Sequence, residues 1–165
     1  MNAGFFRHGP AVPRGTGGID DPDRPLTPEG RKKTVQAARG VERLDLEFQA
    51  VFTSPLPRAL ETAELLAEIL DLPRPRTLDL LAPGSAARRL LAELSTLKVE
   101  RPLLVGHEPD LSGAVALAIS GGGKVSIDLK KAGLACVDFH RTSPRPEGTL
   151  TLLLTPASLR KLGST

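Results

Sequence analysis

The chain contains no tryptophan and no tyrosine, and five phenylalanines are its whole aromatic complement. That leaves few exposed rings on which nucleobases could stack. Its basic residues are scattered rather than gathered into a stripe, so nucleic acid is not an expected partner. A single cysteine, Cys136, cannot close an internal disulfide. It lies in the apolar run 134–139 and reads as a buried structural thiol. No stretch approaches the roughly 20 apolar residues of a membrane span, and Arg7 arrives before any apolar segment of signal length. The expected setting is the reducing cytoplasm, away from a membrane. Carboxylate-rich spacing of the kind that holds a hard cation is missing too, so no metal is expected.

What the chain does have is an ordinary globular balance. Its 165 residues are 40% apolar and 25% charged, enough to bury a core as one domain over 1–165. Lysine and arginine number 22 against 19 acidic residues, a formal charge of +3 that favours anionic substrates. Residues 3–6 read as a first strand. Positions 10–25, rich in Pro, Gly and Asp, form a long mobile loop of the kind that serves as a lid. Thr27 caps a helix with Pro28 at its first position, and Val35, Ala38 and Val41 follow at helical spacing. Ala50 to Thr53 is a second strand. Pro57 to Leu70 is a helix with Leu60, Ala63, Ala67 and Leu70 on its stripe. An extended segment over 77–81 precedes a helix over 85–94. The run 103–105 is short and apolar, as a buried central strand should be. Asp110 caps a helix over 111–119 that the Gly121-Gly122-Gly123 loop ends. Three strands are then expected, over 125–129, 133–139 and 149–155, with a turn at 143–148 and a last helix over 157–162. Alternating strands and helices followed by strand-to-strand turns predict a three-layer α/β/α sandwich, its sheet mostly parallel with an antiparallel edge.

The chemistry sits at strand ends. Arg7-His8-Gly9 follows the first strand, Ser54 the second and His107 the run 103–105, while Arg58 opens the helix after the second strand. In open α/β sheets functional groups gather beyond the carboxyl ends of strands, so two histidines and two arginines should meet at one sheet edge. A neutral imidazole is a competent nucleophile for phosphorus. Arginine forks hold phosphate oxygens and oppose transition-state charge. A second imidazole can donate to another oxygen. The set suits phosphoryl transfer through a covalent intermediate.

On these residues the chain resembles the histidine phosphatase superfamily, and most of all its small SixA-type phosphohistidine phosphatases, over essentially its full length. The resemblance rests on Arg7-His8-Gly9, on 24–30 (Arg-Pro-Leu-Thr-Pro-Glu-Gly), on Ser54-Pro55 with Arg58 and Thr62-Ala63, and on Gly106-His107-Glu108-Pro109. The segments 129–135 and 152–156 look like this subgroup as well. It implies a phosphoglycerate-mutase-like fold, His8 as nucleophile, a phosphate pocket of Arg7, Arg58 and His107, and activity without metal or organic cofactor. Some relatives that cleave phosphate esters carry an acid for the leaving alkoxide. Here the candidates are Asp79 and Glu108, neither in a secure register, and an imidazole leaving group needs such an acid least. The expected substrate is thus phosphohistidine on a signalling protein. A small phosphorylated metabolite is the alternative, and a phosphate-recognising module with little turnover is another. Ser54 and Thr62 read as capping and packing residues, with Ser54 also a candidate phosphate ligand. Arg24 reads as a loop peg, His140 as exposed, and Lys130-Lys131 as a solvated turn.

Overall fold

The computed structural model describes residues 1–164. Four strands run parallel: β1 (Asn2–Arg7), β2 (Ala50–Thr53), β3 (Arg76–Thr77) and β4 (Pro102–Gly106). Strand β5 (Leu134–Arg141) pairs antiparallel with β1, and β6 (Glu147–Leu154) pairs antiparallel with β5 at the sheet margin. The spatial order is β3-β2-β4-β1-β5-β6. Helices α1 (Pro28–Glu42), α2 (Pro57–Ile69), α3 (Ala87–Leu94) and α4 (Asp110–Ser120) cross over between strands, and α5 (Pro156–Leu162) follows β6.

Pleat alternation decides which layer each core side chain joins. Phe5 of β1 lies in register with Leu104 of β4, and Leu104 in turn with Phe52 of β2. These three pack on one face with Leu90, Leu91 and Leu94 of α3 and Leu111 and Val115 of α4. Their neighbours Phe6, Val51, Leu103 and Val105 point the other way, against Ala37 and Val41 of α1, Ala63 and Leu66 of α2, and Leu159 of α5. Burial on both faces is why 102–106 reads as a continuous apolar run. Truncating a buried leucine such as Leu104 to alanine costs about 2–5 kcal/mol. The three-layer α/β/α arrangement is the one expected. No helix among the described residues is long and apolar enough to cross a membrane.

Several local expectations need correction. The expected strand over 125–129 is irregular chain. Val125, Ile127 and Leu129 alternate as a strand would, but β5 occupies the side of β1 away from β4, and among the described residues this segment pairs with no strand. Only Leu129 of the three is buried, in the core beside α4. The extended segment over 77–81 is a strand only through Thr77 and then a 3-10 turn at Asp79–Leu81. Of the stripe expected on α2, Ala63 and Ala67 are buried and Leu60 and Leu70 only half-buried; the buried face also takes in Arg58, Ala59, Thr62, Leu65 and Leu66. Asp110 does not cap α4; its carboxylate accepts from the Gly84 amide at 2.7 Å.

The cap of α1 is as the sequence implies, and α5 has one of the same kind. Thr27 accepts from the Gly30 amide and Thr155 from the Ser158 amide, each one orphan donor of a helix start satisfied. Gly30 is required by close approach: a side-chain carbon there would collide with the Pro10 carbonyl. The Pro10–Pro25 loop is pinned at its base. Ala11 bridges Leu26, Val12 N–H donates to Pro25 (2.9 Å), and Thr27 N–H donates to Pro10 (3.2 Å). Cys136 is buried in β5, and burial pushes its thiol up to about 12.

Candidate active site

β1, β4 and β2 are neighbours, and their chains stay in register just past the strand ends. His8 N–H donates to Gly106 at 3.1 Å and Ser54 N–H to Val105 at 3.0 Å. The sheet therefore delivers His8, His107 and Ser54 to one place, and all three are buried. The two imidazole rings stand 5.0 Å apart between centroids, tilted by 53°.

His8 Nδ1 lies 2.7 Å from the carbonyl oxygen of Gly9. A carbonyl can only accept, so Nδ1 carries the proton and Nε2 keeps its lone pair. Burial above all pushes the His8 pKa down from 6.5 to about 3, against the Gly9 hydrogen bond; His107, Arg58 and Arg7 add to the lowering. Gly9 is itself fixed, because its amide donates to Thr62 Oγ1 at 3.0 Å while that hydroxyl donates to the Arg58 carbonyl at 2.7 Å. Thr62 is thus the peg that ties the His8 loop to α2.

His107 Nε2 is 2.8 Å from Ser54 Oγ, which also accepts from the Leu56 amide. Burial, then Arg58 and Arg7, pushes the His107 pKa down to about 4. Both imidazoles are neutral at pH 7.

The guanidinium groups are held by backbone carbonyls. Arg7 Nη1 donates to Leu129 at 3.0 Å, and Arg58 Nη1 donates to Asp21 at 2.9 Å. The Nε of each is buried with no hydrogen-bond partner among the described residues. Two orphaned buried donors beside two neutral imidazoles are a cost that an anion would remove. Arg58 is the second residue of α2, where a lone cation is disfavoured by the helix dipole; an anion would offset this too. The cleft over these groups measures about 380 Å³. Arg7, Arg14, Arg24, Arg58 and Lys131 line it against two carboxylates, Asp21 and Glu108.

The sequence pattern of the histidine phosphatase superfamily, branch 1, matches residues 4–82. An uncharacterized protein of Picosynechococcus sp. strain PCC 7002 is 40% identical over 138 residues, covering 81% of this chain and 82% of its own. The chain belongs to the histidine phosphatase superfamily. Among solved structures it is similar to the protein histidine phosphatase SixA complexed with tungstate, at 26% identity and a TM-score of 0.84, over 96% of this chain and 99% of that one. The fold is shared with the alpha-ribazole phosphatase of Shigella flexneri, at 18% identity and a TM-score of 0.71, covering 94% and 97%. The protein is accordingly a phosphatase.

The two acid candidates of this histidine phosphatase part company. Asp79 is exposed on its 3-10 turn and does not line the cleft. Glu108 does line it, but its Oε1 accepts from the Ser112 amide at 3.0 Å and so finishes the first turn of α4. Asp21 is the other cleft carboxylate. Desolvation is the largest single influence and pushes it up, but Arg24 and then Arg14 together hold it below the usual carboxylate range. Arg24 is buried, with Nη1 on the Val12 carbonyl (2.6 Å) and Nε on Asp21 (2.9 Å), which fits its reading as a loop peg. His140 is exposed and near Thr149. Lys131 belongs to the cleft, where partial burial and then Arg7 and Arg24 lower its pKa. Sequence reasoning assigned it to a solvated turn and passed over Arg14; the length of the 10–25 loop was the one available pointer to the latter. Among the described residues no group of three or more His, Cys, Asp or Glu is gathered to hold a metal ion.

Proposed function

We propose that the protein hydrolyses phosphohistidine on another protein in two steps, with His8 as the covalent carrier. One observation carries this reading: His8 has its proton committed to the Gly9 carbonyl, so Nε2 is a free lone pair beside Arg7, Arg58 and His107. The lone pair attacks phosphorus in line as the bond from phosphorus to the substrate imidazole breaks. That imidazole, protonated on its other nitrogen by solvent, leaves neutral. The phosphorylated His8 ring becomes cationic, and the Gly9 carbonyl stabilises its Nδ1–H. Water then adds to phosphorus, the Nε2–P bond breaks, both water protons end on phosphate, and His8 returns neutral. Arg7 and Arg58 supply Nε donors to the equatorial oxygens, with His107 as a further donor.

The preference for an imidazole leaving group rests on the carboxylates: two arginines share Asp21 Oδ1 and hold that carboxyl ionised, and one Glu108 oxygen is committed to α4. Likeness to the SixA protein histidine phosphatase supports the same substrate. A small phosphorylated metabolite is the second reading, favoured by the second Glu108 oxygen at a cleft of about 380 Å³. Assaying phosphohistidine proteins against small alkyl and aryl phosphates tests the choice. The proposal expects kcat/KM for phosphohistidine to exceed that for every alkyl ester; the reverse order would assign the metabolite.

A further inference from the structure

The cleft also holds an exposed guanidinium, that of Arg14, which the two-arginine pocket does not use. The Arg14 side chain is 79% exposed, and its one hydrogen bond among the described residues runs from Nε to Asp21 Oδ1 at 2.7 Å. That oxygen is shared, since Arg24 Nε also donates to it at 2.9 Å. Arg24 is buried and has a second anchor on Val12, so it stays; Arg14 has none. The chain beyond Arg14 is built to move. Gly15, Gly17 and Gly18 sit at φ 76°, 60° and 72° with open space around each, and among the described residues the tip makes a single backbone bond, Ile19 N–H to Thr16. Its base is clamped to α1 and α2, with the Leu26 amide donating to Glu61. Asp21 therefore stands at a node. Its side chain restrains Arg14 while its carbonyl seats Arg58.

We propose that Arg14 is a third phosphate-binding arginine, carried on a glycine-hinged loop and parked on the Asp21 carboxylate until a phosphoryl group takes that carboxylate's place. The proposal rests on the phosphate pocket of the preceding reading and adds to it a specificity element outside the buried core. A phosphoryl group brings up to two negative charges and three acceptor oxygens, against one carboxylate oxygen already shared by two arginines. Exchange costs little because Arg14 leaves solvent-exposed geometry and the glycines accept the backbone change.

The test uses the full chain, an aryl phosphate as substrate, and inorganic phosphate and vanadate as competing anions. Arg14→Ala should weaken both inhibition constants about tenfold, the scale of a charged hydrogen bond lost. Arg14→Lys should recover part of this, since the charge stays and the fork goes. Asp21→Asn keeps an acceptor for Arg24 and the carbonyl for Arg58 but frees Arg14, so it should tighten both constants severalfold. In the Arg14→Ala/Asp21→Asn double variant that gain should vanish. A pair that merely braces the loop would make both single variants weaken anion binding alike, which overturns the proposal. So would unchanged constants in Arg14→Ala, or an Asp21→Asn gain that persists without Arg14. Failure of the phosphate pocket itself looks different: the wild type would then neither turn over aryl phosphate nor respond to vanadate.

Discussion

The loops after β1 and β4 present the same side chain in two different grips. His8 is held by a carbonyl, which only accepts, so its proton sits on Nδ1 and its role is fixed in the free enzyme. His107 is held by the Ser54 hydroxyl, which both donates and accepts, so its proton can sit on either nitrogen as the phosphoryl group demands. The backbones differ to match. The His8 loop is riveted to α2 through Gly9 and Thr62, whereas the His107 loop runs directly into α4 with Glu108 spanning to the Ser112 amide. A nucleophile needs one tautomer at one place; a donor to a charge that moves needs a proton that can relocate.

The largest test of that difference is to remove each ring. His8→Ala should cut turnover by ~10⁴-fold or more, since the proposed nucleophile is gone. His107→Ala should cost ~10²–10³-fold, the scale of one lost transition-state donor. The variants should also differ in kind. Samples quenched in acid and in base during turnover should show an acid-labile, base-stable phosphoryl adduct in wild type and in His107→Ala, and none in His8→Ala. An adduct in His8→Ala that is absent from His107→Ala would exchange the two roles.

The parts of this site that were legible in the sequence are the parts carried by short strands. Arg7-His8, Ser54 and His107 each follow an apolar run, and the rule that parallel strands deliver their carboxyl ends to one edge was enough to assemble them. The helix after β2 shows why burial patterns alone fell short. Ala63 and Ala67 of the expected stripe are buried, but polar Arg58 and Thr62 share the inner face with them, and Leu60 and Leu70 at the stripe's ends are only half-buried. Backbone acceptors left no trace at all. The Leu129 carbonyl that seats Arg7 lies 122 residues away, in a segment whose period-two pattern imitated a strand. Lys131 was lost with it, since its place in the cleft depends on how that irregular chain turns back toward β1.

Acid stability separates the two imidazoles at the next level. Both are buried and neutral, with folded-state pKa values of about 3 for His8 and about 4 for His107 against an unfolded value of 6.5. Below 6.5 the unfolded chain binds more protons, so this stabilisation is complete above pH 6.5 and is lost as pH falls. Between pH 6.5 and 5 the loss should be roughly 2 kcal/mol per histidine, a window in which ordinary carboxylates remain ionised. Urea unfolding at pH 7 and pH 5 should show it in wild type and not in a His8→Gln/His107→Gln double variant. Further acidification should protonate His107 first. Wild-type stability that is flat from pH 7 to 5 would mean the rings are not desolvated as described.

The smallest effect is expected at Glu108, the residue directly after His107. Glu108→Gln keeps an oxygen that can accept from the Ser112 amide, so the start of α4 should survive and the variant should fold as wild type. What it removes is a carboxyl that could protonate a leaving group. If Glu108 served that purpose, alkyl phosphates would lose ~10²–10⁴-fold while phosphohistidine and aryl phosphates, whose leaving groups depart without an acid from the enzyme, would lose little. The expectation is instead a uniform change within about threefold, because the observed bond commits one Glu108 oxygen to the helix. Measuring kcat/KM across leaving groups of graded pKa decides the matter, since only a proton donor steepens the dependence when it is removed. A steeper slope in the variant would give the His107 loop the general acid and move the substrate toward esters. A parallel line leaves that loop with a movable proton on His107 alone, which suffices only when the departing group is already a good one.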